Sequence, residues 1–185
     1  MKKKSHEKIG FIIALAVPLI ILLSLIVKPL WTLNTGENIV LKTVPVDPRD
    51  LFYGDYVTLQ YEIEEVPKEK IAPSLIKELE KDNSWRKVKV YGKLISKDGF
   101  YILEELTNKK PANTPYLTGK IQYYPYFNMK EVEVYDVNFN LNRFFVPENT
   151  GIELEDLARK GQLMAHIKVK NGYAVLDYIE ELKWI

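Results

Sequence analysis

Three aspartates lie within nine residues, Asp47, Asp50 and Asp55, and Arg49 stands among them in the run Val46-Asp47-Pro48-Arg49-Asp50-Leu51-Phe52-Tyr53-Gly54-Asp55-Tyr56. Carboxylates brought to one side of such a corner serve as paired acids or as oxygen ligands for a hard cation. The spacing matches no calcium loop. The plainer role is architectural. Asp47-Pro48 favours a turn, because proline fixes φ at the second turn position and the aspartate side chain bonds the backbone two residues on. Gly54-Asp55 is a second turn signal, and Arg49 is placed to pair with an aspartate. We therefore expect no metal, no cofactor and no catalytic residue here.

Other routes to chemistry are thin. Cysteine is absent, so there is no disulfide or thiolate nucleophile, and a zinc site would need His, Asp or Glu alone. A Gly-Asp step before a strand is similar to the region near the active site of signal peptidases, which need a serine and a basic partner. No serine lies between Lys28 and Pro73, and Ser74 and Ser84 carry no motif. His6 and His166 are the only histidines, one on each side of the apolar segment described below, so a histidine metal site or triad is not expected. Tyrosine is the abundant functional type, with twelve copies. Tyr123-Tyr124-Pro125-Tyr126-Phe127 is the densest cluster and Phe52-Tyr53 a second. Aromatic rings with a polar tip suit sheets, interfaces and sugar stacking alike. Pro125 interrupts any strand there and turns rings outward. Phe52, Tyr53, Tyr124 and Tyr126 are accordingly the candidate interaction surface.

After the second turn, Val57, Leu59, Tyr61 and Ile63 alternate with Tyr56, Thr58, Gln60 and Glu62, the period of a half-buried strand. Leu59 and Tyr61 share the core face with Val57, and Tyr56 lies on the other. Gly54-Asp55-Tyr56-Val57-Thr58-Leu59-Gln60-Tyr61 resembles the signature of the GDYXXLXY family, with all five fixed letters present at Gly54, Asp55, Tyr56, Leu59 and Tyr61. A later run, Arg143-Phe144-Phe145-Val146-Pro147-Glu148-Asn149-Thr150-Gly151-Ile152-Glu153-Leu154-Glu155, is similar to that family's second motif. The resemblance implies a membrane-anchored bacterial protein with an extracytoplasmic domain, sometimes associated with multi-pass membrane proteins, and supplies no catalytic residues.

The first eight residues carry four lysines and one glutamate, and 9–27 then runs nineteen residues without a charge. As a helix that run spans roughly 28 Å, close to the hydrocarbon thickness of a bilayer. Lys28 and Trp31 follow, types suited to the interface. The run exceeds a signal-peptide core, no Ala-x-Ala-like site follows, and it is apolar on every face, unlike a buried core helix. We expect a cytoplasmic tail at 1–8, a transmembrane anchor at 9–31 that contacts the lipid bilayer, and an extracytoplasmic domain at 34–185. By the positive-inside rule the N-terminus is cytoplasmic, which makes this a single-pass protein of the cell membrane. The first 33 residues hold a formal +4 of the chain's +1, leaving −3 for the remainder. A mildly acidic domain is poorly suited to nucleic acid.

The order of elements points to an α+β fold: the helix, then a mainly antiparallel β domain with two short helices. Strands are expected at 37–46 and 56–63, pairing with each other, then a helix from Pro73. A hairpin at 87–95 and 100–106 turns on Asp98-Gly99. After a polar loop at 107–115 come strands at 116–123 and 132–145. The capping box Thr150-Gly151-Ile152-Glu153 opens the second helix, and a hairpin on Asn171-Gly172 closes the chain. The two hairpins align at an offset of 73 residues, which suggests similar halves at 37–106 and 116–185, although any two amphipathic hairpins align in this way. The functional expectation is an interaction or accessory domain whose partner is a multi-pass membrane protein. The alternatives are a hydrolase acting on envelope material through the aspartates, or a carbohydrate-binding module using the tyrosines.

Overall fold

The computed structural model describes residues 3–46, 56–81, 87–122, 133–147 and 151–182. The first helix, α1 (Lys3–Thr35), contains a stretch, Phe11–Thr35, long and apolar enough to cross a membrane, with no buried residue before Thr32. It runs past the expected boundary at 31, because nothing breaks it before Gly36. That glycine is required by close approach: a Cβ there would sit 2.5 Å from the Thr32 carbonyl and 3.0 Å from the Val169 nitrogen. The Gly36 N–H donates to the same carbonyl at 2.8 Å, and Thr32 is buried against the domain. Lys28 lies 3.9 Å from the Tyr173 ring centre and Lys170 lies 5.1 Å from that of Trp31. The helix therefore enters the sheet without a linker.

Among the described residues ten strands follow, interrupted by two further helices. They are β1 (Glu37–Lys42), β2 (Tyr56–Thr58), β3 (Glu65–Pro67), α2 (Pro73–Lys81), β4 (Lys87–Lys97), β5 (Phe100–Thr107), β6 (Tyr116–Gln122), β7 (Val134–Asn138), β8 (Arg143–Phe145), α3 (Gly151–Arg159), β9 (Leu163–Lys170) and β10 (Tyr173–Glu181). This is the expected α+β fold. Both hairpins turn where Asx-Gly steps supply positive φ, 52° and 84° at Asp98-Gly99 and 52° and 75° at Asn171-Gly172. Pro73 takes the first position of α2, which turns Leu75 and Leu79 into the core.

Pairing departs from the sequence expectation in three places. β1 pairs with β9 instead of the 56–63 strand, and only one bridge, Thr43 to Tyr61, joins those two segments. The 56–63 strand is cut to Tyr56–Thr58, since a 3-10 turn at Glu62–Glu64 ends it, yet Val57, Leu59, Tyr61 and Ile63 all stay buried. The strand at 132–145 is broken into β7 and β8 at an Asn corner, where Asn140 takes φ of 60° and its N–H donates to Asn138 Oδ1 at 2.7 Å. Asparagine tolerates that left-handed conformation and supplies the local acceptor, so the break is written in Asn138-Phe139-Asn140.

The sheets have the orders β1-β9-β10, β2-β8 and β3-β7-β6-β4-β5. The segments 37–106 and 116–185 do not close separately. The first strand of each pairs with the leading strand of the other's hairpin, β1 with β9 and β6 with β4, and β2–β8 is answered by β7–β3. One continuous core results, running from Ile39 and Leu41 through Tyr61, Leu75 and Leu94 to Phe139 and Ile167. Phe139 lies across Gly92 and Gly119, where added Cβ atoms would come within 2.9 Å and 2.7 Å of neighbouring side-chain atoms.

Candidate functional site

β2 and β8 form a two-stranded ladder with Tyr56 opposite Phe145, Val57 opposite Phe144 and Thr58 opposite Arg143. Side chains alternate across a strand, so the ladder has two unlike faces. Val57 is fully buried and Phe144 packs against the core, with α3 closing over β2. The other face carries Tyr56, Thr58, Arg143 and Phe145. The Tyr56 and Phe145 ring centres are 5.9 Å apart at a 60° tilt, and the Arg143 guanidinium lies 5.0 Å from the Tyr56 ring centre. Phe145 is 71% exposed, more than a lone packing role needs. Tilted rings and a guanidinium over a ring face are the contacts that the aromatic quadrupole favours.

Beyond the ladder the chain turns inward. Leu59 donates its N–H to the Asn142 carbonyl at 3.0 Å, and the buried Tyr61 donates its hydroxyl to the Leu141 carbonyl at 2.9 Å. Burial, with the nearby Glu64 charge adding to it, raises the Tyr61 phenol, so it remains a donor. The Tyr61 N–H in turn donates to Glu64 Oε2 at 3.1 Å, capping the 3-10 turn. Glu64 is the perturbed acid among the described residues. Burial pushes its carboxyl up to about 7, against backbone hydrogen bonds from Tyr61 and Phe139 that favour the charged form, and the Asp136 charge adds to the rise. Glu64 and Asp136 line a groove of about 350 Å³ together with Thr58, Gln60, Lys120 and Asn142. A carboxyl that titrates near neutrality beside a second carboxylate is equipped to hold or hand on a proton.

A family model described as GDYXXLXY protein matches residues 18–179, a span that takes in half of α1 and both motifs of the ladder. The chain belongs to the GDYXXLXY family. No curated protein and no solved structure matches it. Of the family's five fixed letters, the described residues hold three, and these divide between environments: Leu59 and Tyr61 in the core, Tyr56 half-buried on the outward face.

Asp47, Arg49, Asp50, Phe52, Tyr53, Gly54, Asp55, Tyr124 and Tyr126 lie outside the described residues, as does the Thr150 cap. Among the described residues no group of His, Asp and Glu side chains is arranged to hold a metal ion. His166 is buried, paired through Nε2 with Glu180 Oε1 at 2.7 Å and stacked on Tyr178 at 4.1 Å between ring centres. Sequence reasoning passed over Glu64, Asp136, Arg143 and Phe145 as site residues. The sequence did not mark Glu64, since the reciprocal-cap pattern begins at Ser or Thr and Tyr61 stands in that place. Asp136 and Arg143 gain their neighbours only through strand pairing.

Proposed function

We propose that this GDYXXLXY protein is a membrane-tethered extracytoplasmic accessory domain that docks on a multi-pass membrane protein beside its anchor. The observation that carries the reading is the outward face of the β2–β8 ladder, where Tyr56 from one motif and Arg143 and Phe145 from the other meet. Tyrosine and arginine are enriched among residues that dominate binding energy, and such residues cluster. A domain tied directly to its helix also presents this face at a fixed height and orientation, which raises the effective concentration for a partner in the same bilayer. The lysines of 1–8 support a cytoplasmic N-terminus and hence an outer domain.

The test is affinity purification of the detergent-solubilised full chain from its native membrane, alongside Phe145→Ser and Arg143→Gln. A stoichiometric integral-membrane companion that both substitutions release, with the melting temperature unchanged, supports the reading. A companion retained by both variants removes this face from the interface. Absence of any integral-membrane companion removes the partner reading itself. A reporter fused after Ile185 that is active in the cytoplasm would reverse the orientation.

A second reading rests on Glu64 and Asp136. Their groove could serve general acid and base catalysis, which would make the domain a hydrolase acting on envelope material. Glu64→Gln discriminates: companion capture unchanged in that variant separates docking from any proton chemistry.

A further inference from the structure

Where α1 meets the domain, a second groove of about 420 Å³ is walled by Lys28 of α1, Lys89 of β4, Lys120 of β6 and the amides of Asn138, Asn140 and Asn171. Among the described residues no carboxylate lines it and no ion pair engages any of the three lysines. We propose that this groove binds a phosphate ester, supplied by an anionic phospholipid headgroup of the leaflet in which α1 ends. The inference rests on α1 spanning a bilayer and is independent of any protein partner.

Depth supports the assignment. The uncharged run 9–27 covers roughly 28 Å of helix, so Lys28 emerges where hydrocarbon gives way to headgroups. Because Thr32 and Gly36 seat the helix directly on β9, the lysines of β4 and β6 that border the same groove are held near that level. The donors are prepared as well. Lys28 lies 3.9 Å from the Tyr173 ring centre and Lys89 lies 5.3 Å from that of Tyr91, contacts that orient an ammonium without cancelling its charge. Asn138 Oδ1 already accepts the Asn140 N–H, which leaves its amide nitrogen as the free, donating end. Three cations and several amide donors around a concavity suit a phosphate oxygen set. Glu64 and Asp136 line the neighbouring groove, with Lys120 on the border of both.

Full-length protein in a neutral detergent is titrated with phosphatidylglycerol, with phosphatidylcholine and with inorganic phosphate, and bound molecules are counted by native mass spectrometry. Phosphatidylglycerol should bind about tenfold or more tightly than phosphatidylcholine, whose choline cancels the phosphate charge. Each lysine near a membrane surface contributes about fivefold, so Lys89→Gln with Lys120→Gln should weaken phosphatidylglycerol about 25-fold at an unchanged melting temperature. Should that pair fail to fold, Lys28→Gln alone should cost about fivefold. Lys97→Gln with Lys109→Gln, which removes the same charge outside the groove, should change nothing. Inorganic phosphate that displaces the lipid mole for mole keeps the phosphate site and assigns it to a soluble ester; displacement only at large excess assigns it to the headgroup. Equal binding of the two lipids, or equal loss in the Lys97 and Lys109 pair, overturns the proposal. Either failure with the protein companion still bound leaves the docking reading intact.

Discussion

Glu64 gives the domain a pH dependence of definite sign. Its carboxyl titrates near 7 in the folded chain against a usual value of 4.5, so between those two values the native state holds a proton that the unfolded chain releases. Stability must then fall as pH rises through that window, and the group contributes its full share only below about 4.5. The gap corresponds to about 3 kcal/mol at most, at about 1.36 kcal/mol per pH unit, and water reaching the open groove reduces it. Glu64→Gln removes the titration while leaving an amide oxygen to accept from the Tyr61 N–H. At pH 5, where the native acid is neutral, variant and wild type should agree within about 1 kcal/mol. At pH 8 the variant should be the more stable by about 1–3 kcal/mol. Urea unfolding of the full chain in neutral detergent at the two pH values measures the difference, and contributions from other titrating groups cancel between the two proteins. Equal pH slopes would refute the argument. A variant less stable than wild type at pH 8 would show that the backbone hydrogen bonds to the carboxylate outweigh its burial.

Three further outcomes are expected. Leu59→Ala should destabilise by about 2–5 kcal/mol, as a fully enclosed leucine truncated in a continuous core, read by the same unfolding assay. Tyr61→Phe leaves the Leu141 carbonyl buried without its donor and should cost about 1–3 kcal/mol, with the ring still packed. Gly36→Val drives a side chain into the Thr32 carbonyl, so it should detach helix from sheet; hydrogen exchange at Val169 and Lys170 should rise while the β4–β5 hairpin stays protected.

The legible parts of this fold were those written locally. Asp98-Gly99 and Asn171-Gly172 determine their turns by themselves, and the uncharged run before Lys28 determines a helix whatever surrounds it. The alternation from Val57 to Ile63 gave the correct buried set because burial follows which way each side chain points, and that survived even where the strand pairing stopped at Thr58. Pairing itself was not legible. β1 lies beside β9 across more than a hundred residues, and nothing in Ile39-Val40-Leu41 distinguishes Leu163–Lys170 from the nearer 56–63 segment as a partner. The candidate site inherits that limit: Arg143 and Phe145 stood inside a recognised motif, but their meeting with Tyr56 depends on a register that only the folded chain displays.

That register also explains why one short motif carries residues for both core and surface. The Tyr61 hydroxyl holds the Leu141 carbonyl, and the Leu59 N–H holds the Asn142 carbonyl, which together fix the chain leaving the Asn140 corner. Arg143 is the next residue. With its two predecessors pinned to the first motif, β8 can enter the ladder only with Arg143 opposite Thr58 and Phe145 opposite Tyr56, since a slip of one residue would carry Phe144 outward and bring Arg143 and Phe145 to the core face. The buried Leu59 and Tyr61 are therefore positioning residues for the half-buried, outward-facing Tyr56 that precedes them. The spacing between Tyr56, Leu59 and Tyr61 is then the spacing needed to aim one motif's surface residue at the other's. The core half of the motif serves the fold, and through β8 it serves whatever the outward face contacts.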